Sequence, residues 1–231
     1  QKQKRRNKVM TITITIPVIL ALVIGLVVAY LLGSIPSAVW IGKSFYGIDV
    51  REKGSKNAGA TNTIRVLGLL PGIFVLCIDA FKGWFAIYLS RYFGMEIANS
   101  EYMILYQLCV GIFCVIGHAL PIFAGFKGGK GVATMLGIVI GLFLKIIPLV
   151  LAVFVVVFIL SHYVSLSSMS AAVSFPLFYC IRCGVIDEKI NVIELAFAIL
   201  VALFILWTHR KNIKRLLNHE EPKFKFKKTE E

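Results

Sequence analysis

Acidic residues are scarce in this chain, 12 Asp and Glu against 25 Lys and Arg, and all charged residues together make up only 16% of 231 positions. Hydrophobic residues reach 58%, so too little polar surface remains to cover a soluble globule of this size, and an integral membrane protein is expected. Strand-like alternation is also lacking. The apolar runs are long and continuous, which excludes the pattern of an outer-membrane barrel and points to an all-α, polytopic helical bundle. A nucleic-acid module is absent as well: the net charge of +13 sits in loops and tails, facing lipid headgroups, so no nucleic-acid partner is expected. Cysteine is present as an odd five without framework spacing, mostly inside apolar runs. Cys180 and Cys183 form a lone C-x-x-C with no second pair and no histidine at ligand spacing, so neither a metal nor another cofactor is implied.

What is present divides into spans and polar connections. Residues 1–9 carry five basic residues and no acid, the chain begins with Gln, and Met10 reads as the natural start with an upstream basic extension before it. Residues 11–32 are long enough to span and lack a small-residue cleavage site, so they are expected to form a retained helix that continues polar-poor to Trp40. Further spans are expected over 69–91 and 102–123. Residues 132–160 are too long for one span and carry Lys145 and Pro148, so they read as a helical hairpin turning near Lys145, with short arms. A polar turn is expected over 161–168, followed by spans over 169–182 and 190–207. The count is about seven. It places residues 43–68, 125–131, 161–168 and the tail on one face, and the eight Lys or Arg after His209 make that face cytoplasmic. Residues 94–101, with Glu96 and Glu101 but no Lys or Arg in that stretch, fit an outer loop.

Two polar stretches carry chemistry. In GHALPIFAGFKGGKGVAT, residues 117–134, an apolar segment breaks into glycines and lysines and then re-enters apolar sequence. Gly128, Gly129 and Gly131 are expected to adopt conformations that gather N–H groups on one oxyanion, at the positive end of a helix opening at Val132, with Lys127 and Lys130 adding full charges. A flexible loop with lysines in water has the same composition; the position between two long apolar segments favours the anion site. The second stretch, VREKGSKNAGATNTIRVLG, clusters Ser55, Asn57, Thr61, Asn62 and Arg65 beside Gly54 and Gly59, groups suited to hydrogen-bonding a polyanion, although an ordinary turn and a capped helix use the same residues. Asp79 and Lys82, three apart within an expected span, must be paired or wet; an ion pair and a substrate contact are equally open.

Taken together, GSKNAGATNTIR at 54–65, GHALPIFAGFKGGKGVAT, and HRKNIKRLL from His209 resemble the PlsY family of bacterial acyl-phosphate glycerol-3-phosphate acyltransferases. One departure is Lys56, where many members have Gly. The resemblance implies a transmembrane acyltransferase domain over 10–217 with a charged cytoplasmic tail over 218–231, in the bacterial cytoplasmic membrane. It implies transfer of a fatty acyl group from acyl phosphate to the 1-hydroxyl of glycerol 3-phosphate, giving lysophosphatidic acid and phosphate, with membrane lipid as surroundings. By the same resemblance Ser55, Arg65, Lys130, His209 and Asn212 line the reaction centre. The resemblance also implies that phosphate is cradled by Asn57, Gly59, Thr61, Asn62, Gly128, Gly129 and Gly131; from the residues themselves, Lys127 by its charge in the loop and Lys82 by its place in a span are counted as further binding groups.

Rival classes fare less well. The His-x4-Asp signature of acyl-CoA-linked glycerolipid acyltransferases is missing at His118, where Phe123 stands, and at His162 and His209. The loop at 125–130 has Gly131 where a Walker A needs Ser or Thr. A membrane transporter of phosphate or of a phosphorylated lipid precursor remains the alternative, because a basic site in a helical bundle serves either purpose. His118 reads as a packed helix-end histidine.

Overall fold

The computed structural model describes residues 15–98, 102–186 and 189–224. The basic extension with Met10, part of the acidic outer loop, Asp187 and Glu188, and the end of the tail lie outside these residues. Among the described residues the only regular elements are helical.

The ten α-helices among the described residues follow from apolar runs punctuated by Gly and Pro. α1 (Ile16–Gly33) begins with Pro17 in its first turn, where a missing N–H costs nothing. The chain breaks at Ser34–Pro36, a proline that cannot continue the helix, and resumes as α2 (Ser37–Tyr46). Gly47, at φ 63°, ends α2 in the left-handed conformation that glycine takes without strain. A short α3 (Ala60–Leu67) precedes the long α4 (Leu69–Phe93) and α5 (Tyr102–Ala119). The expected hairpin is found as α6 (Val132–Leu142) and α7 (Ile147–Ser161), with Lys145 in the turn and Pro148 in the first turn of α7. α8 (Val164–Val185), α9 (Val192–Thr208) and α10 (Arg210–Leu217) close the bundle.

One expectation is corrected. The stretch 161–168 is not a separate turn: α8 begins at Val164, because Ser167 and Ser168 donate their hydroxyls to the Tyr163 and Val164 carbonyls four residues back, at 2.8 Å each. The count of about seven spans is not confirmed by length and composition: among the described residues four helical stretches qualify, or five if α9 and α10, bent by 60°, count as one. α6 and α7, about 17 and 23 Å long, fall short of a hydrocarbon layer of about 30 Å.

The helices approach closely through small residues, as membrane bundles do. A Cβ on Gly83 would lie 2.1 Å from the Thr134 carbonyl oxygen, and one on Gly137 would lie 1.8 Å from that of Ala80, so α4 and α6 touch backbone to backbone. Gly33 and Gly117 bring α1 and α5 together in the same way. Many large apolar side chains on the outside, among them Phe74, Phe81, Val156, Ile159 and Leu203, are exposed, as a surface facing lipid requires. α4 and α6 thereby hold the start of α6 rigidly beside the polar loops.

Candidate functional site

The loop after α2, the loop before α6 and the chain after α9 meet at one end of the bundle around a cavity of about 360 Å³. Its mouth is polar: Ser55, Asn57, Gly59, Thr61, Asn62, Arg65, Lys130, Gly131, His209 and Asn212 all line it. Below the mouth it becomes an apolar slot between α6, α7, α8 and α9, walled by Met135, Val139, Ile147, Phe154, Ala172, Phe175 and Val201 among others.

Two helix N-termini open onto the mouth. α3 begins after Gly59, and the cavity wall includes Gly59, Ala60 and Thr61; α6 begins after Gly131, at φ 78°, and the wall includes Gly131, Val132 and Ala133. First-turn N–H groups have no partner inside their own helix and carry the positive end of its dipole, so both ends favour an anion.

Asn62 shapes the first loop. It is buried, its Oδ1 accepts the Ser55 N–H at 2.7 Å, and its Nδ2 donates to the Val50 and Lys53 carbonyls at 2.7 and 3.2 Å. Although Asn62 borders the cavity, its amide is therefore occupied in fixing Ser55. Lys56 takes φ 60°, is exposed and does not line the cavity, so the added charge and bulk lie outside its wall and the loop keeps a left-handed turn.

On the opposite wall Lys130 donates to Asn212 Oδ1 at 2.5 Å, and Asn212 Nδ2 donates to Glu221 Oε1 at 2.7 Å. Burial pushes the Lys130 amine down to about 8; Glu221 opposes the fall, while Arg215 and Arg65 add to it. The ring of His209, buried, donates Nδ1–H to the Ile205 carbonyl at 2.8 Å, and burial, with Lys130 nearby, pushes the imidazole down to about 4, so near neutral pH Nε2 is left as an acceptor.

Sequence reasoning missed Arg215 and Glu221. Glu221 accepts from Ser165 Oγ at 2.7 Å and from Arg215 Nε at 2.6 Å, bending residues 218–224 back over the mouth. Burial opposes ionisation there, but the Ser165, Asn212 and Arg215 hydrogen bonds hold its carboxyl below the usual carboxylate range. Arg215 was legible one helical turn after Asn212 in HRKNIKRLL; Glu221 had no signal, since the fold-back is a tertiary event.

Four expected binding residues are not brought into the cavity. Lys127 is exposed and lies outside its wall. Gly128 and Gly129 spend their N–H groups on the Ala119 and His118 carbonyls at 3.2 and 3.1 Å. Neither adopts a positive φ; a Cβ on Gly129 would instead lie 2.2 Å from His118 Nε2, so close approach is the reason for glycine. Lys82, 3% exposed, pairs with Asp79 at 2.8 Å and donates to the Ile35 carbonyl at 2.9 Å. Ser37 Oγ donates to the same Asp79 oxygen at 2.8 Å, and His118 Nδ1 stands 3.6 Å from it. The geometry shows the ion pair of Asp79 and Lys82; Asp79 and His118 also border the cavity wall, whereas Lys82 does not. Among the described residues no group of three or more His, Cys, Asp or Glu could hold a metal ion.

The profile of a family described as Glycerol-3-phosphate acyltransferase matches residues 23–219. A glycerol-3-phosphate acyltransferase of Listeria monocytogenes is 43% identical over 198 residues, covering 86% of this chain and 94% of that protein. One of Fusobacterium nucleatum is 41% identical over 201 residues, covering 87% and 97%. Among solved structures, PlsY, an integral membrane glycerol 3-phosphate acyltransferase, in its glycerol 3-phosphate form superposes with a TM-score of 0.78 at 35% identity, covering 89% of this chain and 96% of that one. Its lysophosphatidic acid form gives 0.75 at 33%. The three motifs, the helical bundle and the basic cavity mouth agree with these likenesses over nearly the whole chain, which belongs to the glycerol-3-phosphate acyltransferase family of integral membrane proteins.

Proposed function

We propose that this chain transfers a fatty acyl group from acyl phosphate to the 1-hydroxyl of glycerol 3-phosphate at the cytoplasmic face of a bacterial inner membrane, the first acylation of phospholipid synthesis. The observation that carries this reading is the continuity of one cavity, cationic at its mouth and apolar below. Each substrate has a phosphate suited to the mouth, and only one has a tail suited to the slot.

The hydroxyl oxygen of glycerol 3-phosphate attacks the acyl carbonyl carbon, the carbon–oxygen bond to phosphate breaks, and inorganic phosphate leaves. Acyl phosphate is already activated, so the protein's task is to position two anions and neutralise them. Lys130, Arg65 and the ends of α3 and α6 supply positive potential, and Asn212 holds Lys130 in place. The Ser55 hydroxyl hydrogen-bonds substrate and is no covalent nucleophile, because no base is bonded to it. A substrate phosphate accepts the hydroxyl proton. The PlsY structures carry the name of glycerol 3-phosphate in one form and lysophosphatidic acid in the other, the acceptor and product of this reaction.

Detergent-purified protein should form lysophosphatidic acid from glycerol 3-phosphate and palmitoyl phosphate without vesicles, and chelator should leave the rate unchanged. Product from palmitoyl-CoA but not palmitoyl phosphate, abolition by chelator, or activity only across a sealed bilayer would contradict the reading.

A further inference from the structure

Ser55 and Lys130 line the same cavity from different loops, and neither loop is a regular element. One side chain joins them. Asp49 pairs with Arg51 as a fork: Nε lies 3.0 Å from Oδ1 and Nη2 lies 2.7 Å from Oδ2. The Arg51 backbone N–H reaches Oδ1 at 3.0 Å, and Lys43 Nζ stands 3.2 Å from Oδ2. With two nitrogens committed, Nη1 is left to donate to the Ala124 carbonyl at 2.7 Å and the Lys127 carbonyl at 3.3 Å. Arg51 stands four residues before Ser55, and the carbonyls it reaches, of Lys127 and Ala124, stand three and six residues before Lys130.

The fork fixes the plane of the guanidinium, and its remaining edge fixes the second loop. Lysine cannot do this: one ammonium has no planar fork with which to hold a carboxylate through two nitrogens while a third spans two carbonyls. The Arg51 hydrogen bond holds the Asp49 carboxyl well below the usual carboxylate range, so the fork stays charged at any working pH. Arg51 does not line the cavity and so touches no substrate.

We propose that Asp49 and Arg51 form a positioning clip that ties the two loops together and thereby keeps Ser55 and Lys130 in one cavity mouth. This rests on the acyltransferase reading above. A partly exposed ion pair contributes little to stability by itself, so the clip predicts a defect in substrate use without one in folding.

The test is steady-state kinetics on detergent-purified wild type, Arg51→Lys, Asp49→Asn and the double variant, with thermal unfolding on the same samples. Each single variant should raise KM for glycerol 3-phosphate roughly tenfold or more while kcat stays within about twofold. The unfolding midpoint should not move, and the double variant should be no worse than Arg51→Lys, since both break one device. Unchanged KM in both single variants, a fall in kcat at constant KM, additive losses, or unfolding of all three variants would overturn the clip. Wild type separates the two claims: no product from wild type defeats the proposed function, whereas active wild type with equally active variants defeats the clip alone.

Discussion

Two lysines in this bundle are buried or nearly so, and they have opposite surroundings. Lys82 lies in the middle of α4 against the Asp79 carboxylate at 2.8 Å, with the Ile35 carbonyl completing its shell, and its charge is cancelled where it stands. Lys130 bonds the neutral amide of Asn212, and among the described residues no carboxylate lies within 4 Å of its amine. Glu221, the nearest acid in that network, already accepts from Ser165, Asn212 and Arg215. A neutralised buried cation is structural, whereas a cation left without a carboxylate beside two helix N-termini makes a place for an anion from outside. The contrast also separates Arg51, consumed by Asp49, from Arg65, which lines the cavity mouth.

The sharpest way to break this comparison is to neutralise each lysine in turn. Lys82→Met leaves Asp79 buried with only Ser37 and His118, and should destabilise the folded protein by about 3–5 kcal/mol in detergent unfolding. Combining it with Asp79→Leu should recover most of that loss, since removing a whole buried pair is far cheaper than removing half. Lys130→Met should do the reverse, lowering kcat/KM about 100- to 1000-fold while the unfolding midpoint holds or rises. Equal stability losses from the two lysines would erase the distinction.

The second effect is on pH. Lys130 has its folded value depressed from 10.5 to about 8, so its charge is lost earlier on the alkaline side than that of a free lysine. kcat/KM for glycerol 3-phosphate should therefore fall as pH rises through about 8, and Lys130→Arg, if active, should lack that limb because guanidinium stays charged. Stability runs with the opposite sign. Burying a charged amine costs free energy in full below about 8, and the cost is relieved between there and 10.5, so this group makes the fold more stable as activity declines. A bound phosphate dianion favours the ammonium and should shift the limb in kcat to higher pH than that in kcat/KM.

The smallest effect tests the solvent side of the first loop. Lys56 pays for a left-handed conformation with no contact to the cavity, so Lys56→Gly should raise stability by at most about 1 kcal/mol and leave kcat and KM unchanged.

Much of this was legible from residue type and spacing. The break between α6 and α7 followed from Lys145 and Pro148 inside an apolar run, and Ser55, Arg65 and Lys130 from their polar stretches, whereas His209 and Asn212 entered only through the family resemblance; all five line the cavity mouth. The misreadings share a cause, that several residue types satisfy their chemistry in more than one way. Ser167 and Ser168 look like turn formers but bond back along their own helix. Gly128 and Gly129 look like positive-φ residues but are small so that His118 can pack against them. Glu221 was invisible, since nothing local announces that residues 218–224 return to the mouth.

The central claim is that the unpaired cation and the helix ends receive phosphate while the slot receives the tail. A structure of this protein with a hydrolysis-resistant acyl phosphonate tests it most directly. The expected result places the phosphonate oxygens within hydrogen-bond distance of Lys130 Nζ and the first N–H groups of α6, with the chain running between Val139, Phe154 and Phe175. A headgroup bound elsewhere with Lys130 still bonded only to Asn212, or a tail lying outside the α6–α9 slot, would contradict it.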